Sequence, residues 1–303
     1  MFRTVKASAV AVLFCAVAVP VLAGCDEASD PDEDAPTSSA AAGTGQAGTD
    51  PVSGTVKITV DGRSVNVSCS GAPAGDRPVV VLLAGLGDGL DKLAGFQKAL
   101  SGQGRVCSYD RLGEGASDQP DGPQTFDSTG KVLTGVLDRV AGHHPVVLAG
   151  HSLGGLIAAR YAPSHRDRVA GLVLMDATPS TIVADTTTLI PESATGQAAE
   201  LRGQSLAVYG GQNPEKLTIQ DGKAGSAGDI PVEVVQHGQP YLAAVPEYGA
   251  ALEKAWSEGQ RKWLGLSGRA KPVTAATSGH YIYVDQPDVA VQAIQRVTAA
   301  AAE

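Results

Sequence analysis

Short apolar runs that alternate with helical patterns constrain the fold of this 303-residue chain more than any other feature. Five such runs are four or five residues long, and they lie at 79–83, 106–109, 146–149, 172–175 and 232–235. A run of this length and composition suits a strand that is buried on both faces. Between several of them, apolar residues recur with the period of one helix face, as at Leu93, Phe96 and Leu100. Strands that alternate with helices predict an α/β fold, in which helices cover both faces of a mostly parallel sheet.

A different pattern precedes these runs. Apolar residues alternate with polar ones over 56–60 and again over 65–69, and Asp61-Gly62 lies between the two stretches. Alternation of this kind indicates strands, and Asp-Gly is typical of a tight hairpin turn. We therefore expect two antiparallel edge strands before the parallel part of the sheet.

The first 25 residues have the organisation of a targeting segment. Arg3 and Lys6 provide a positive start, and the apolar run over 7–22 that follows is too short and wrongly flanked for a membrane span. Small residues then precede Cys25, and this ending resembles the lipobox of bacterial lipoproteins, in which the cysteine becomes the lipidated first residue. The resemblance implies a signal peptide over 1–24 and lipidation of Cys25, which would hold the protein at the cell membrane. An ordinary secretory signal is the alternative, and either interpretation places the mature chain outside the cytoplasm, where disulfides persist.

Residues 25–52 predict a disordered acidic linker. Seven carboxylates lie there among Ser, Thr, Ala, Gly and Pro, with almost no large apolar side chain to drive folding. The linker accounts for much of the formal net charge of −9, and an acidic chain lacks the basic face of a nucleic-acid-binding protein. Residues 53–303 remain for a single domain. Four cysteines are too few for a disulfide-dense scaffold. No group of cysteines and histidines has the spacing of a zinc site.

A Gly-x-Ser-x-Gly pentapeptide at 150–154 is the sharpest functional motif. It follows the predicted strand at 146–149 and opens a helical run, which is the context of a nucleophile elbow. Gly150 and Gly154 remove side chains where a sharp strand-to-helix turn crowds its neighbours. We therefore predict that Ser152 is a nucleophile, the alternative being a serine that only caps a helix.

A serine nucleophile needs a base and an acid that orients the base. Of the six histidines, His280 is the best candidate for the base. It follows a predicted strand at 273–276 and precedes a terminal helix, so its loop lies at the carboxyl end of a late strand, where parallel sheets present functional groups. The alternative is a histidine that only caps this loop.

Four stretches of the chain together resemble the α/β-hydrolase family over about residues 54–300. They are Ala84-Gly85-Leu86-Gly87, Tyr109-Asp110-Arg111-Leu112-Gly113-Glu114-Gly115-Ala116-Ser117, the pentapeptide around Ser152, and Ser278-Gly279-His280. The first differs from the His-Gly that family members more often have. The resemblance implies an eight-stranded, mostly parallel sheet with a cap insertion at approximately 177–229. It also implies an oxyanion hole formed by the backbone N–H groups of Leu86 and Leu153.

The acid has two candidates. The family usually places it after the strand that here ends near 236, but His237 and the three residues that follow it offer no carboxylate. Some relatives take the acid from the end of the preceding strand, which here is Asp176, and the order Ser152, Asp176, His280 is the one expected of this architecture. Glu247 is the alternative acid. Asp176 could also simply cap a strand end.

The nucleophile narrows the reaction. Family members that open epoxides or remove halogens use an aspartate at the elbow, so a serine implies acyl transfer. The resemblance implies a serine hydrolase of the carboxylesterase or lipase type, which takes a small-molecule ester or lipid-like substrate and forms an acyl-enzyme. Neither a metal nor an organic cofactor is expected.

Two other functional classes compete with this interpretation. A surface lipoprotein can keep the fold and the elbow yet act only by binding. The glycine-rich stretch at 85–89, with Asp110 at the end of the next strand, also suggests dinucleotide binding. That interpretation fails at Leu90, where the fingerprint requires a small residue, and it leaves Ser152 and His280 without a role.

Cys69 and Cys107 lie in the segments that correspond to the family's second and fourth strands. The family's strand order places those strands side by side, so the resemblance implies a disulfide between the two cysteines in an oxidising compartment. Two buried free thiols are the alternative.

Overall fold

The computed structural model describes residues 52–223 and 225–303. The predicted signal peptide over 1–24, the predicted lipidation site Cys25 and the predicted linker as far as residue 51 lie outside the described residues. Across the described ranges, no helix combines the length and apolar character needed to cross a membrane.

Eight strands form one sheet. They are β1 (Gly54–Val60), β2 (Arg63–Ser70), β3 (Val80–Leu83), β4 (Val106–Tyr109), β5 (Val146–His151), β6 (Val169–Met175), β7 (Val232–His237) and β8 (Ala270–Ala275). The strand order is β1-β2-β4-β3-β5-β6-β7-β8. The pairs β1–β2 and β2–β4 are antiparallel, and all the other neighbours are parallel. The prediction of a mostly parallel eight-stranded sheet is confirmed.

Helices cover both faces of this sheet. They are α1 (Leu90–Leu100), α2 (Phe126–Ala141), α3 (Leu153–Tyr161), α4 (Ile182–Leu189), α5 (Gly196–Tyr209), α6 (Gly249–Trp263), α7 (Ile282–Asp285) and α8 (Pro287–Ala301). Buried residues of α1, α7 and α8 form one apolar core, and those of α2, α3 and α6 contribute to the other. Side chains of β5 alternate between the two, since Leu148 joins one core and Val147 the other. A strand with a core on each face is apolar at every position, which explains the short apolar runs.

The amino-terminal hairpin forms as predicted, with one difference. Asp61 and Gly62 both have positive φ angles, of 48° and 77°, and join β1 to β2 in a tight turn. The expectation that both strands lie at the edge is wrong for β2, whose residues 67–70 also pair with β4. The reason is burial on that side: Val67 and Cys69 are apolar residues that the sheet interior accommodates.

The predicted disulfide is confirmed. Cys69 lies directly opposite Cys107 in the antiparallel pairing of β2 and β4, and a disulfide joins them. Both residues are buried. The alternative of two free thiols is therefore excluded.

The long connection between β6 and β7 contains α4 and α5, in the region predicted to form a cap. Buried residues farther along it, Leu217 and Ile219, join the core on the side of α2 and α3. This connection therefore packs on the domain through its own apolar side chains and also brings a buried carboxylate, Glu215, into the domain.

Candidate active site

Ser152 occupies a strained turn between β5 and α3. Its φ of 51° and ψ of −121° lie in a region that side chains other than glycine rarely adopt. Glycines on both sides permit the turn: a Cβ at Gly150 would collide with the carbonyl oxygen of Gly154, and a Cβ at Gly154 would collide with those of Leu83 and Ala84. The turn therefore holds the Ser152 side chain at the amino terminus of α3.

The hydroxyl of Ser152 lies beside a second hydroxyl. Its Oγ is 3.4 Å from Oγ1 of Thr178, a buried residue whose amide donates to the Ser152 carbonyl oxygen over 3.0 Å. Within the described ranges, no hydrogen bond joins Ser152 to His280. Hydrogen bonds between catalytic groups are often long before substrate binds, so this arrangement does not count against His280 as the base.

Asp176 and His280 contact each other directly. Oδ2 of Asp176 is 2.7 Å from Nδ1 of His280, although 104 residues separate them in the chain. Asp176 follows β6 with a φ of 44°, and its amide donates to the carbonyl oxygen of Val235 over 2.7 Å. Burial by itself would raise the pKa of Asp176, but hydrogen bonds from His237 and His280 hold it well below its usual range. The residue is therefore a carboxylate.

Glu247, the alternative acid, lies elsewhere. It belongs to the segment between β7 and α6, and its side chain is exposed. The structure thus brings Asp176, rather than Glu247, to His280.

A second histidine contacts the same carboxylate. Nδ1 of His237 is 2.7 Å from Oδ1 of Asp176, and the indole N–H of Trp256 donates to that oxygen over 2.9 Å. The other ring nitrogen of His237, Nε2, hydrogen-bonds Oε1 of Glu253 on α6. The sequence analysis did not predict this cluster, because it considered the segment that begins at His237 only as a source of the acid and found no carboxylate in it. Its position at the end of β7, beside the end of β6, was the available signal.

His151 supports the loop that carries His280. Its Nε2 is 3.0 Å from the carbonyl oxygen of His280, and its ring packs against those of His280 and Tyr281, with centroid distances of 4.5 and 4.9 Å. Burial, with the nearby His280, lowers the pKa of His151 to about 3. The ring is therefore neutral near pH 7, and Nε2–H donates to the carbonyl oxygen.

The loop at 84–87 carries the predicted oxyanion-hole amide of Leu86. A buried arginine holds this loop: Arg111 donates to the carbonyl oxygens of Ala84 and Gly85 over 2.6 and 2.8 Å. The same guanidinium makes hydrogen bonds of 2.8 and 2.7 Å with the two oxygens of Glu215. Burial alone would lower the pKa of Arg111, but Glu215 outweighs it and raises the pKa further.

A second carboxylate holds the far end of this loop. Oε1 of Glu114 accepts from the Gly87 amide over 2.9 Å, and burial together with Glu215 raises the pKa of Glu114. The loop at 84–87 is thus fixed at both ends. The other predicted amide of the oxyanion hole belongs to Leu153, the first residue of α3, where the helix dipole favours negative charge.

The sequence model of a family described as the alpha/beta hydrolase fold matches residues 78–218. These residues include the loop at 84–87, the turn at Ser152 and Asp176. The chain has the α/β-hydrolase fold.

Among curated proteins, this α/β hydrolase is 24% identical to the uncharacterized protein YqjL of Bacillus subtilis, over 81% of the chain and 92% of that protein. It is 34% identical to the putative carbamate hydrolase RutD of Caulobacter segnis, over 39% of the chain and 44% of that protein. Among solved structures, the enol-lactonase of Burkholderia xenovorans LB400 superposes with a TM-score of 0.58 at 21% identity, and the match covers 80% of this chain and all of that one.

Asp110, which also figured in the dinucleotide interpretation, has a structural role in this α/β hydrolase. Its carboxylate accepts from the amide of Leu90 over 2.6 Å, from the amide of Ala116 over 2.9 Å and from Nδ2 of Asn66 over 2.8 Å. It therefore caps the start of α1 and ties that helix to β2. Three of the about four acceptor positions of this carboxylate are therefore occupied by donors within the protein.

Proposed function

We propose that this α/β hydrolase is a serine hydrolase that cleaves a carboxylic ester, or a related acyl bond, through Ser152, His280 and Asp176. One observation carries the proposal. The strained turn at Ser152 and the buried carboxylate of Asp176 lie together at the carboxyl ends of the adjacent strands β5 and β6, and Oδ2 of Asp176 is 2.7 Å from Nδ1 of His280.

The hydrogen bond to Asp176 fixes which nitrogen of His280 acts. Because Nδ1–H donates to the carboxylate, Nε2 carries the lone pair that accepts the Ser152 proton. The Ser152 oxygen then attacks the substrate carbonyl carbon, and the amides of Leu86 and Leu153 stabilise the oxyanion. His280 returns the proton to the leaving group, and a water molecule, activated by the same histidine, hydrolyses the acyl-enzyme.

The cost of the site favours catalysis over binding alone. A non-glycine residue in a rare backbone conformation costs about 1–3 kcal/mol, and such strain persists where function uses it. Ser152 has such a conformation, with φ of 51° and ψ of −121°. The relative RutD is by its name a putative hydrolase of carbamates, whose carbonyl group resembles that of an ester.

The enzyme acts outside the cytoplasm, anchored through a lipid on Cys25. The amino-terminal sequence pattern and the Cys69–Cys107 disulfide support this location, because disulfides persist in oxidising compartments. Expression of the full chain and of Cys25→Ser, followed by cell fractionation, tests it. Membrane association of the full chain and its loss in the variant are expected, and equal fractionation of both would contradict the anchor.

A screen of p-nitrophenyl esters of increasing chain length tests the activity and defines the acyl preference. Turnover is expected in the wild-type protein and its loss in Ser152→Ala, with circular dichroism to show that both are folded. A folded wild-type protein with no turnover on any ester would favour the binding-only alternative.

A further inference from the structure

We propose that His237 and Glu253 form a positioning pair, which holds the carboxylate of Asp176 and balances its charge from the side opposite His280. The inference rests on the proposed function, because it assigns a role within the same catalytic group. It adds two residues that, within the described ranges, make no hydrogen bond to Ser152.

The hydrogen bonds define the charge of His237. Its Nδ1 is 2.7 Å from Oδ1 of Asp176, and its Nε2 contacts Oε1 of Glu253. A carboxylate only accepts hydrogen bonds, so both ring nitrogens have to donate, and a histidine with two N–H groups is an imidazolium cation. A neutral ring would place a lone pair against one of the two carboxylates.

The surroundings keep this cation out of water. The His237 side chain is 5% exposed, that of Asp176 is 0% exposed and that of Glu253 is 20% exposed. Burial by itself would lower the pKa of His237, but the hydrogen bonds to Asp176 and Glu253 outweigh it and raise the pKa to about 9. His237 therefore stays charged through the neutral range.

Tyr241, Trp256 and His280 also lie close to His237 or to the carboxylate that it contacts. The ring of Tyr241 approaches it edge-on with a centroid distance of 4.8 Å, and burial raises the pKa of that phenol well above its usual value, so it is neutral. On α6, the indole of Trp256 shares the Asp176 oxygen with His237. His280 binds the opposite oxygen of Asp176. In the neutral pH range the cluster thus contains two carboxylates and one counter-charge, His237.

The positive charge of His237 affects the proposed base, His280. His280 has to be neutral to accept the Ser152 proton, and an unbalanced Asp176 favours a second proton on it. His237 shares the negative charge of Asp176 and so opposes that protonation. We expect the pair to extend activity toward lower pH.

Packing alone does not require a charged residue at this position. Oδ1 of Asp176 also accepts from the indole of Trp256 over 2.9 Å, and the amide of His237 lies 3.4 Å from it. His237→Asn places an amide N–H where Nδ1 now lies and so retains a donor to Asp176. Combining it with Glu253→Gln removes both charges of the pair without leaving a buried carboxylate unpaired.

The pH dependence of kcat/KM for a p-nitrophenyl ester, measured for H237N/E253Q and the wild type, tests the proposal. The acidic limb of the variant is expected to move to higher pH by up to about one unit, because a single opposite charge shifts a titration by about 1–3 units and the loss of the more distant Glu253 partly cancels the loss of His237. At pH values below both limbs, kcat/KM of the variant is then lower than that of the wild type by about tenfold for each pH unit by which the limb has moved. Above about pH 9 the two proteins should converge, since His237 of the wild type is then itself neutral.

The control variant is Glu258→Gln, which removes a carboxylate from the exposed side of the same helix, 3.9 Å from Lys254 and Arg261. Its limb should coincide with that of the wild type. An unshifted limb in H237N/E253Q, or a loss of kcat/KM that is equal at every pH, would mean that the pair only fills space and would overturn the inference.

A second measurement keeps the two proposals separate. In Ser152→Ala labelled with nitrogen-15 histidine, the His237 ring should show two protonated nitrogens up to about pH 9. A neutral His237 ring at pH 7 would overturn the inference even if the variant enzymes failed to fold. A wild-type protein without ester turnover, but with this imidazolium present, would instead contradict the proposed function.

Discussion

Arg111 and Glu215 are joined by two hydrogen bonds, of 2.8 and 2.7 Å, at a place where both side chains are only 3% exposed. The pair links the long connection between β6 and β7 to the loop at 84–87, because Arg111 also donates to two carbonyl oxygens of that loop. The amide proposed for the oxyanion hole therefore depends on a residue far along the chain.

Replacing Glu215 with glutamine should both destabilise the protein and reduce its activity. Removing one partner of a buried ion pair leaves an uncompensated charge and costs about 3–5 kcal/mol. Urea unfolding and kcat/KM measure the two effects. Glu192→Gln, whose carboxylate is 90% exposed and 3.6 Å from Arg202, serves as the control and should change stability by less than about 1 kcal/mol. Equal effects of both variants would contradict the role of the buried pair.

Loss of the Cys69–Cys107 disulfide should lower stability but leave the active site intact. The bond closes a loop of 38 residues, for which the chain-entropy argument gives about 4 kcal/mol and typical values are about 2–4 kcal/mol. Thermal unfolding of Cys69→Ser/Cys107→Ser, compared with the wild type, measures the loss. Ester turnover at 25 °C should persist, so a folded but inactive double variant would contradict a purely structural role.

Short-range patterns predicted the strands well, and the reason is burial. A strand with a core on each face is buried along its length, as β5 is, and its apolar run at 146–149 is visible within a few residues of sequence. The Asp61-Gly62 turn is equally local. The prediction of the Cys69–Cys107 disulfide also required the strand order, which the family resemblance implied.

Contacts between distant residues left no comparable pattern. Arg111 and Glu215 are 104 residues apart, and neither has a periodic or motif signal that points to the other. Trp256 and Trp263 lie seven residues apart, a spacing typical of one helix face. Both are buried on α6, but Trp256 also donates to Asp176, a contact set by how α6 crosses the end of β6.

Replacing Asp176 with asparagine tests the choice of acid. In serine hydrolases of this kind, the neutral amide holds the histidine in the wrong tautomer, and the loss in kcat is about 10⁴-fold. Glu247→Gln, at an exposed position, should leave kcat unchanged. The reverse result, with turnover retained in Asp176→Asn and lost in Glu247→Gln, would show that Glu247 is the acid.

The charge on His237 should also appear in the pH dependence of stability. A histidine whose pKa rises from 6.5 unfolded to about 9 folded adds stability that is complete below pH 6.5 and is lost as the pH rises through 9. The loss is on the order of 2 kcal/mol after allowance for solvent screening. Urea unfolding at pH 6, 7.5 and 9.5 should show this fall in the wild type and a smaller one in His237→Asn. Parallel curves would contradict a charged His237.

Covalent labelling tests the role of Ser152 as the nucleophile most directly. A fluorophosphonate probe reacts with an activated serine, and mass spectrometry of the peptides identifies the residue that carries the adduct. Labelling is expected at Ser152 alone in the wild type and is expected to be absent in Ser152→Ala and strongly slowed in His280→Ala. A folded wild-type protein with no adduct at Ser152, or with the adduct on another residue, would contradict the assignment of Ser152 as the nucleophile.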